Sequence, residues 1–350
     1  MKLEELLSTA AERRASDILL TPGAPPAVRV HGQLHPLQTP PLDRALTEEI
    51  VRRMVPEAQR ERLRRDFAVD FALEFDSQRY RAQAYSTRRG IALALRLLPT
   101  VVGSPEQLGL PSALIDLVQR PQGLLLFTGA TGQGKSTSQA SLLQWLNHNT
   151  RKHIITIEDP IEFVHDGEQC LIEQREVGEH VASFPDALRQ TVRENPDVIL
   201  LGEMRDAETV TAALQLAETG HLLMSTLHTN DAAQAVDRMV GVFPSEAQEA
   251  VRMQLSLALL GVVNQRLLPS RGGGRVLAAE LLLNTFAVGN LIREGRTDQL
   301  HNAMELDAES GMVTLTRSLD ALVARGMLDA AEADRARPRL FQGRRTPGLP

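Results

Sequence analysis

The chain of 350 residues is poor in cysteine, lysine and aromatic side chains, and each shortage closes off a class of function. A single cysteine, Cys170, excludes an internal disulfide and a multi-cysteine zinc site and points to a reduced, cytoplasmic compartment. Apolar runs are short: residues 257–263 form one of the longest, far below the ~20 residues that cross a bilayer. Residues 1–15 are charged and amphipathic through Leu3, Leu6 and Leu7, and lack the apolar core of a signal peptide. A role at a membrane would therefore run through partner proteins. A net charge of −6 argues against attraction of the whole molecule to a polyanion. Of the 38 basic residues only Lys2, Lys135 and Lys152 are lysine. In a chain that defaults to arginine, a lysine inside a motif is informative.

What remains is an ordinary globular composition, 43% apolar and 23% charged. The length fits two domains with sizeable cores. Residues 1–98 read as an α+β domain. A helix over 1–15 precedes short strands at 18–21 and 27–31, on either side of a Pro/Gly-rich turn. A second helix over 47–65 is interrupted near Pro56. Three strands follow as an antiparallel meander: 67–75, 78–87 and 91–98. Phe67, Phe71, Phe75, Tyr80 and Tyr85 are too few for a stacking platform and read as core.

Residues 99–112, rich in Pro and Gly, read as a linker. From 113 to 335 the pattern changes to apolar strands without alternation, separated by helices, which indicates a parallel sheet covered on both faces. The chain beyond about residue 247 reads as mostly helical, and the Pro/Arg-rich tail 336–350 as disordered. Charge divides along the same boundary. Residues 1–112 hold 16 basic and 14 acidic side chains, and residues 113–350 hold 22 and 30.

Gly129-Ala130-Thr131-Gly132-Gln133-Gly134-Lys135-Ser136 fits the phosphate-binding P-loop and stands between a strand and a helix, as that loop requires. Its glycines let backbone amides turn towards phosphate oxygens, and the following helix adds a positive N-terminus. Lys135 reaches the β- and γ-phosphates of ATP, and the Ser136 hydroxyl suits Mg²⁺. Residues 198–201 followed by Gly202-Glu203 fit a Walker B strand, whose carboxylate Glu203 serves Mg²⁺ or its water. Glu162, in Thr156-Ile157-Glu158-Asp159-Pro160-Ile161-Glu162, has two readings. It is a catalytic carboxylate at a strand's end, or the capping-box acid of a helix begun by Asp159 and Pro160. His228 follows a further strand and is placed to sense a γ-phosphate, whereas His221 near that strand's start is not. Arg79, Arg81, Arg89 and Arg96 lie on the N-terminal meander. They are either a solvated face or arginine fingers for a nucleotide on a neighbouring subunit.

Together the segments GATGQGKST, TIEDPIEFVH, NPDVILLGEMRD and AETGHLLMSTLHTNDA resemble the secretion ATPase superfamily, and within it the type IV pilus retraction ATPases of the PilT and PilU kind. The resemblance covers residues 17–325. It implies a PAS-like N-terminal domain, a RecA-like ATPase domain and a homo-hexameric ring with nucleotide between subunits. It assigns Lys135, Ser136 and Thr137 to Walker A, Glu162 as general base, Glu203 as the Walker B acid, His221 and His228 to a histidine box, and Arg81, Arg89 and Arg96 to the nucleotide's surroundings. It also implies an inner-membrane pilus platform protein as partner, a place on the cytoplasmic face of that membrane, and a possible paralogous pilus ATPase.

Extra N-terminal segments and a four-cysteine insert, usual in assembly and type II secretion ATPases, do not appear. An element near the end of retraction motors corresponds to Ala287-Val288-Gly289-Asn290-Leu291-Ile292-Arg293-Glu294, with Gly289 in place of the first arginine. Gly289, Cys170, residues 174–178 and residues 282–285 lean towards an accessory subunit that acts with a paralogous motor. A DNA translocase is disfavoured by the acidic second domain.

Overall fold

The structure, a computed structural model, describes residues 3–13, 15–30, 32–75, 78–98 and 102–337. The expected tail lies outside the described residues from 338 onward. The chain divides into two compact units: residues 1–101 with 160–164, and residues 102–159 with 165–350.

The first unit contains α1 (Leu3–Glu12), β1 (Asp17–Leu20), β2 (Ala27–Val30), β3 (Gln33–Pro36), α2 (Arg44–Met54), α3 (Glu57–Asp66), β4 (Ala68–Phe75), β5 (Gln78–Thr87) and β6 (Gly90–Leu97). The six strands form one antiparallel sheet in the order β3-β2-β1-β6-β5-β4. Alternation decides its faces. Tyr80, Ala82 and Ala84 of β5 point into the core with Phe71, Leu93 and Leu95, and Leu6, Leu7, Ile50 and Val51 of the helices complete it. Asp43 starts α2 by accepting the amide of Leu46 through its side chain. Phe67 is not core. It ends α3 at φ 62°, and it is 67% exposed. The left-handed residue that turns helix into strand throws its ring outwards. β3 is exposed at all four positions, so it carries no apolar pattern by which it could be read.

The second unit contains α4 (Ala113–Val118), β7 (Gly123–Thr128), α5 (Lys135–Asn149), β8 (His153–Glu158), β9 (Leu171–Glu176), α6 (Phe184–Thr191), β10 (Val198–Leu201), α7 (Ala207–Glu218), β11 (Leu222–Leu227), α8 (Ala232–Gly241), α9 (Gln248–Ala258), β12 (Leu259–Pro269), β13 (Arg275–Leu283), α10 (Phe286–Arg293), α11 (Leu300–Leu306), α12 (Leu315–Ala324) and α13 (Ala330–Ala336). The stretch read as a linker belongs to this unit from residue 102. Leu110 is buried, and the Ser141 hydroxyl donates to the Gly103 carbonyl at 2.6 Å.

The seven strands run β13-β12-β7-β11-β10-β8-β9, parallel except for β13. Every residue of β7, β10 and β11 is buried. Leu124 and Leu126 enter one apolar layer, and Leu125 and Phe127 the other. Each such side chain contributes roughly 1.5–3 kcal/mol.

The expectation of a mostly helical chain beyond residue 247 fails over residues 259–283, which form the β12–β13 hairpin. β12 pairs in parallel with β7, and its first half is buried on both faces. A strand buried on both sides loses the period of two, so its apolar run resembles that of a buried helix. The helical expectation holds from α10 onward. The capping-box reading of Glu162 fails as well: residues 159–170 form no helix.

Candidate active site

β7 delivers its chain into the P-loop at the carboxyl edge of the sheet, and α5 begins at Lys135. Gly129, Gly132 and Gly134 have φ of 137°, 80° and 84°. A Cβ at Gly129 would lie 2.6 Å from the Gln265 carbonyl oxygen, so only glycine fits. Thr131 and Gly132 are exposed, and Ser136 and Thr137 are half-buried in the first turn of α5.

Lys135 is buried, and its ammonium donates to the carbonyl oxygens of Gly129 at 2.8 Å and Ala130 at 3.0 Å. The same nitrogen lies 3.4 Å from Nδ1 of His228. An ammonium only donates, so this contact takes the ring's lone pair at Nδ1 and leaves the ring proton on Nε2. Nε2 lies 3.4 Å from Oε2 of Glu203. Lysine, imidazole and carboxylate thus form one polar chain from the P-loop to the end of β10.

Arg205 closes the far end, donating to Glu203 Oε2 at 2.8 Å. Burial pulls the Glu203 pKa up, but hydrogen bonds from Arg205 and His228 and the nearby Arg205 charge outweigh it, so the carboxyl sits below its ordinary range. Glu203 is therefore anionic at neutral pH. Thr226 of β11 donates to the Gly202 carbonyl at 2.7 Å and fixes the turn that presents Glu203.

His221 takes no part in this chain. Its Nδ1 donates to the Leu216 carbonyl at 3.2 Å, at the end of α7.

β12 supplies groups that sequence reasoning missed. Gln133 Oε1 accepts the Leu267 amide at 2.5 Å, pinning the P-loop to the strand beside it. Gln265 donates to the Ser138 hydroxyl at 2.6 Å. Asn264 donates to the Thr128 hydroxyl at 2.9 Å and the Thr229 carbonyl at 3.2 Å. The available signal was an amide pair, Asn264-Gln265, set in an apolar run.

The acidic box is divided between the units. Glu158 accepts the Thr156 hydroxyl at 2.7 Å in the second unit. Glu162 belongs to the first, where it pairs with Arg81 at 3.6 Å. Arg81 and Arg96 are direct cross-strand partners. Arg96 is held by Asp17 at 3.0 Å. Arg89 is exposed, and its guanidinium makes no ion pair among the described residues.

A parallel sheet with a P-loop at its carboxyl edge, a strand-end carboxylate and a histidine between them defines a P-loop ATPase of the RecA-like kind. The Type II/IV secretion system protein family matches residues 1–335, and the chain belongs to it. It is 42% identical to the type IV pilus retraction ATPase PilT of Pseudomonas aeruginosa, over 95% of this chain and 97% of that one. It is 40% identical to the type IV pilus ATPase PilU of the same organism, over 95% of this chain and 88% of that one. A crystal structure of the pilus retraction motor PilT with bound ADP superposes with a TM-score of 0.89 at 44% identity, covering 97% of each chain.

Proposed function

We propose that this protein is an ATP-driven, homo-hexameric motor of type IV pilus retraction. It works on the cytoplasmic face of the inner membrane through a pilus platform protein. No described helix is long and apolar enough to cross a membrane, which accords with anchorage through a partner. The observation that carries the reading is the Lys135–His228–Glu203 chain at the P-loop of a protein that matches PilT over nearly its whole length.

The residues fit the groups they would hold. The three P-loop glycines have the positive φ that turns amides towards an anion. For Mg²⁺, the described residues hold no cluster of three or more His, Cys, Asp or Glu. An ion here would be held by the Ser136 hydroxyl and the anionic Glu203, with phosphate oxygens and water completing its shell. Bound there, it supplies positive charge against the β- and γ-phosphate oxygens.

Lys135 exchanges the Gly129 and Ala130 carbonyls for phosphate oxygens. The Nε2 proton of His228 is then free to choose between Glu203 and a γ-phosphate, which makes that ring a sensor of the triphosphate. Glu162 takes the proton of the attacking water. An arginine of an adjacent subunit, drawn from Arg81, Arg89 and Arg96, stabilises the transition-state charge. Of these Arg89 is our choice, since Arg81 and Arg96 are already paired. Two measurements test the reading. Turnover by Glu162→Gln close to that of the unaltered protein would remove its role as base. Filaments that still shorten after deletion of the gene would remove the cellular role.

An accessory role beside a paralogous motor is supported by Gly289. A Cβ there would stand 3.3 Å from Asn284 Oδ1 and 3.5 Å from the Ser256 carbonyl oxygen, so the arginine of retraction motors would need the Asn284 side chain to give by a few tenths of an ångström. Robust ATP hydrolysis by the protein alone argues for the motor.

A further inference from the structure

The β12–β13 hairpin carries a polar pair inside its apolar core. Asn264 and Glu280 are direct partners in register, and they are 1% and 4% exposed. Burying an amide and a carboxyl costs stability unless each is bonded. One bond of each reaches the stretch 229–232, where the segment joining β11 to α8 enters that helix. Asn264 donates to the Thr229 carbonyl, and to the hydroxyl of Thr128 just before Gly129. Glu280 accepts the amide of Ala232, the first residue of α8, at 2.9 Å. It also accepts the Leu315 amide at the start of α12. Arg266, two residues further along β12, donates to the Asn230 carbonyl at 3.4 Å. The segment that carries His228 is thus gripped by the neighbouring hairpin at the Thr229 and Asn230 carbonyls and, just past its end, at the Ala232 amide.

We propose that Asn264 and Glu280 are positioning residues, a buried rung that sets His228 between Lys135 and Glu203. A rigid histidine is useful there because a sensor that drifts cannot tell a triphosphate from a diphosphate. The loop's own bonds are the Thr229 hydroxyl to the Asp231 carbonyl and the Asn230 amide to Gln234 Oε1, both at 3.4 Å, and Asp231 accepts the Gln234 amide as the N-cap of α8. The inference rests on the proposed role of His228 at the phosphates.

The test is steady-state ATP turnover of the full chain carrying Glu280→Gln, Asn264→Ser, His228→Ala, and each rung substitution combined with His228→Ala. Glutamine keeps an oxygen for Ala232 but loses the second acceptor oxygen, which serves the Leu315 amide. Serine keeps a hydroxyl too short to reach both Asn264 partners. We expect kcat to fall about tenfold in each rung variant while KM for ATP stays within about threefold. In the His228→Ala background the same substitutions lower kcat by less than about twofold. An unchanged kcat, a rise in KM alone, or the same tenfold loss in both backgrounds overturns the inference. If Asn264→Ser fails to fold, the near-isosteric Glu280→Gln decides alone. Full turnover in His228→Ala by itself removes the histidine's role along with the inference. Slow turnover there, with normal turnover in the rung variants, removes only the inference.

Discussion

The two sheets of this protein handle charge in opposite ways. In the antiparallel sheet, alternate residues of β5 turn away from the core, so Arg81 and Arg96 stand on a face, opposite each other across β5 and β6. In the seven-stranded sheet, β7, β10 and β11 are buried at every position, so on these strands a charged group fits only where the strand stops. Lys135, Glu203 and His228 all follow strand ends. A sheet covered on both faces concentrates polar groups at its carboxyl edge, whereas a half-covered sheet spreads them over an area. The first arrangement suits one small anion and the second suits a partner surface.

If phosphate chemistry belongs to strand ends, removing the Lys135 charge should cost most. We expect Lys135→Ala to lower ATP turnover by at least about 10³-fold. Near-normal turnover would mean that the phosphates are held elsewhere. On the face of the antiparallel sheet the loss should be selective. Arg89→Ala should reduce turnover by about 10²-fold. Arg96→Ala should change it by less than about threefold, since its guanidinium is engaged with Asp17 at 3.0 Å. The reverse order would move the finger from Arg89 to Arg96.

His165 tests how dry the parallel-sheet unit is. Burial lowers its pKa from 6.5 to about 4. Between those values the unfolded chain binds the proton and the folded chain does not, so stability is full above about pH 6.5 and falls as the pH drops towards 4. The loss should reach about 3 kcal/mol at most in urea unfolding, and His165→Gln should flatten the profile. A profile unchanged by the substitution would place the acid sensitivity elsewhere. The smallest effect should come from Asp17→Asn. Its arginine partners, Arg29 and Arg96, are 40% and 64% exposed, so stability should change by less than about 1 kcal/mol in the same assay. A larger loss would show that the outer face of the antiparallel sheet is more than a solvated surface.

Most strands next to the site were legible because their signals are local. β5 shows the period of two, and β7, β10 and β11 show short apolar runs that end at glycine or a polar residue. β12 and β13 were not legible. Their apolar residues are buried on both faces, and nothing within the run distinguishes strand from helix. β9 was hidden for the opposite reason, being an edge strand half charged, with Glu173, Arg175 and Glu176, and buried only at Glu176. Phe67 misled because an aromatic ring beside a strand suggests core, while its backbone serves as a helix stop.

The order of amino acids alone determined the P-loop, its lysine and the kinship with pilus ATPases, because glycine's freedom in φ and the charge of Lys135 act over eight consecutive residues. The grip on the loop and on His228 was decided only in three dimensions. Asn264 reaches Thr128 across 136 positions and Gln265 reaches Ser138 across 127. Such bonds depend on β12 lying in parallel beside β7, a pairing between distant segments that no local period or propensity encodes.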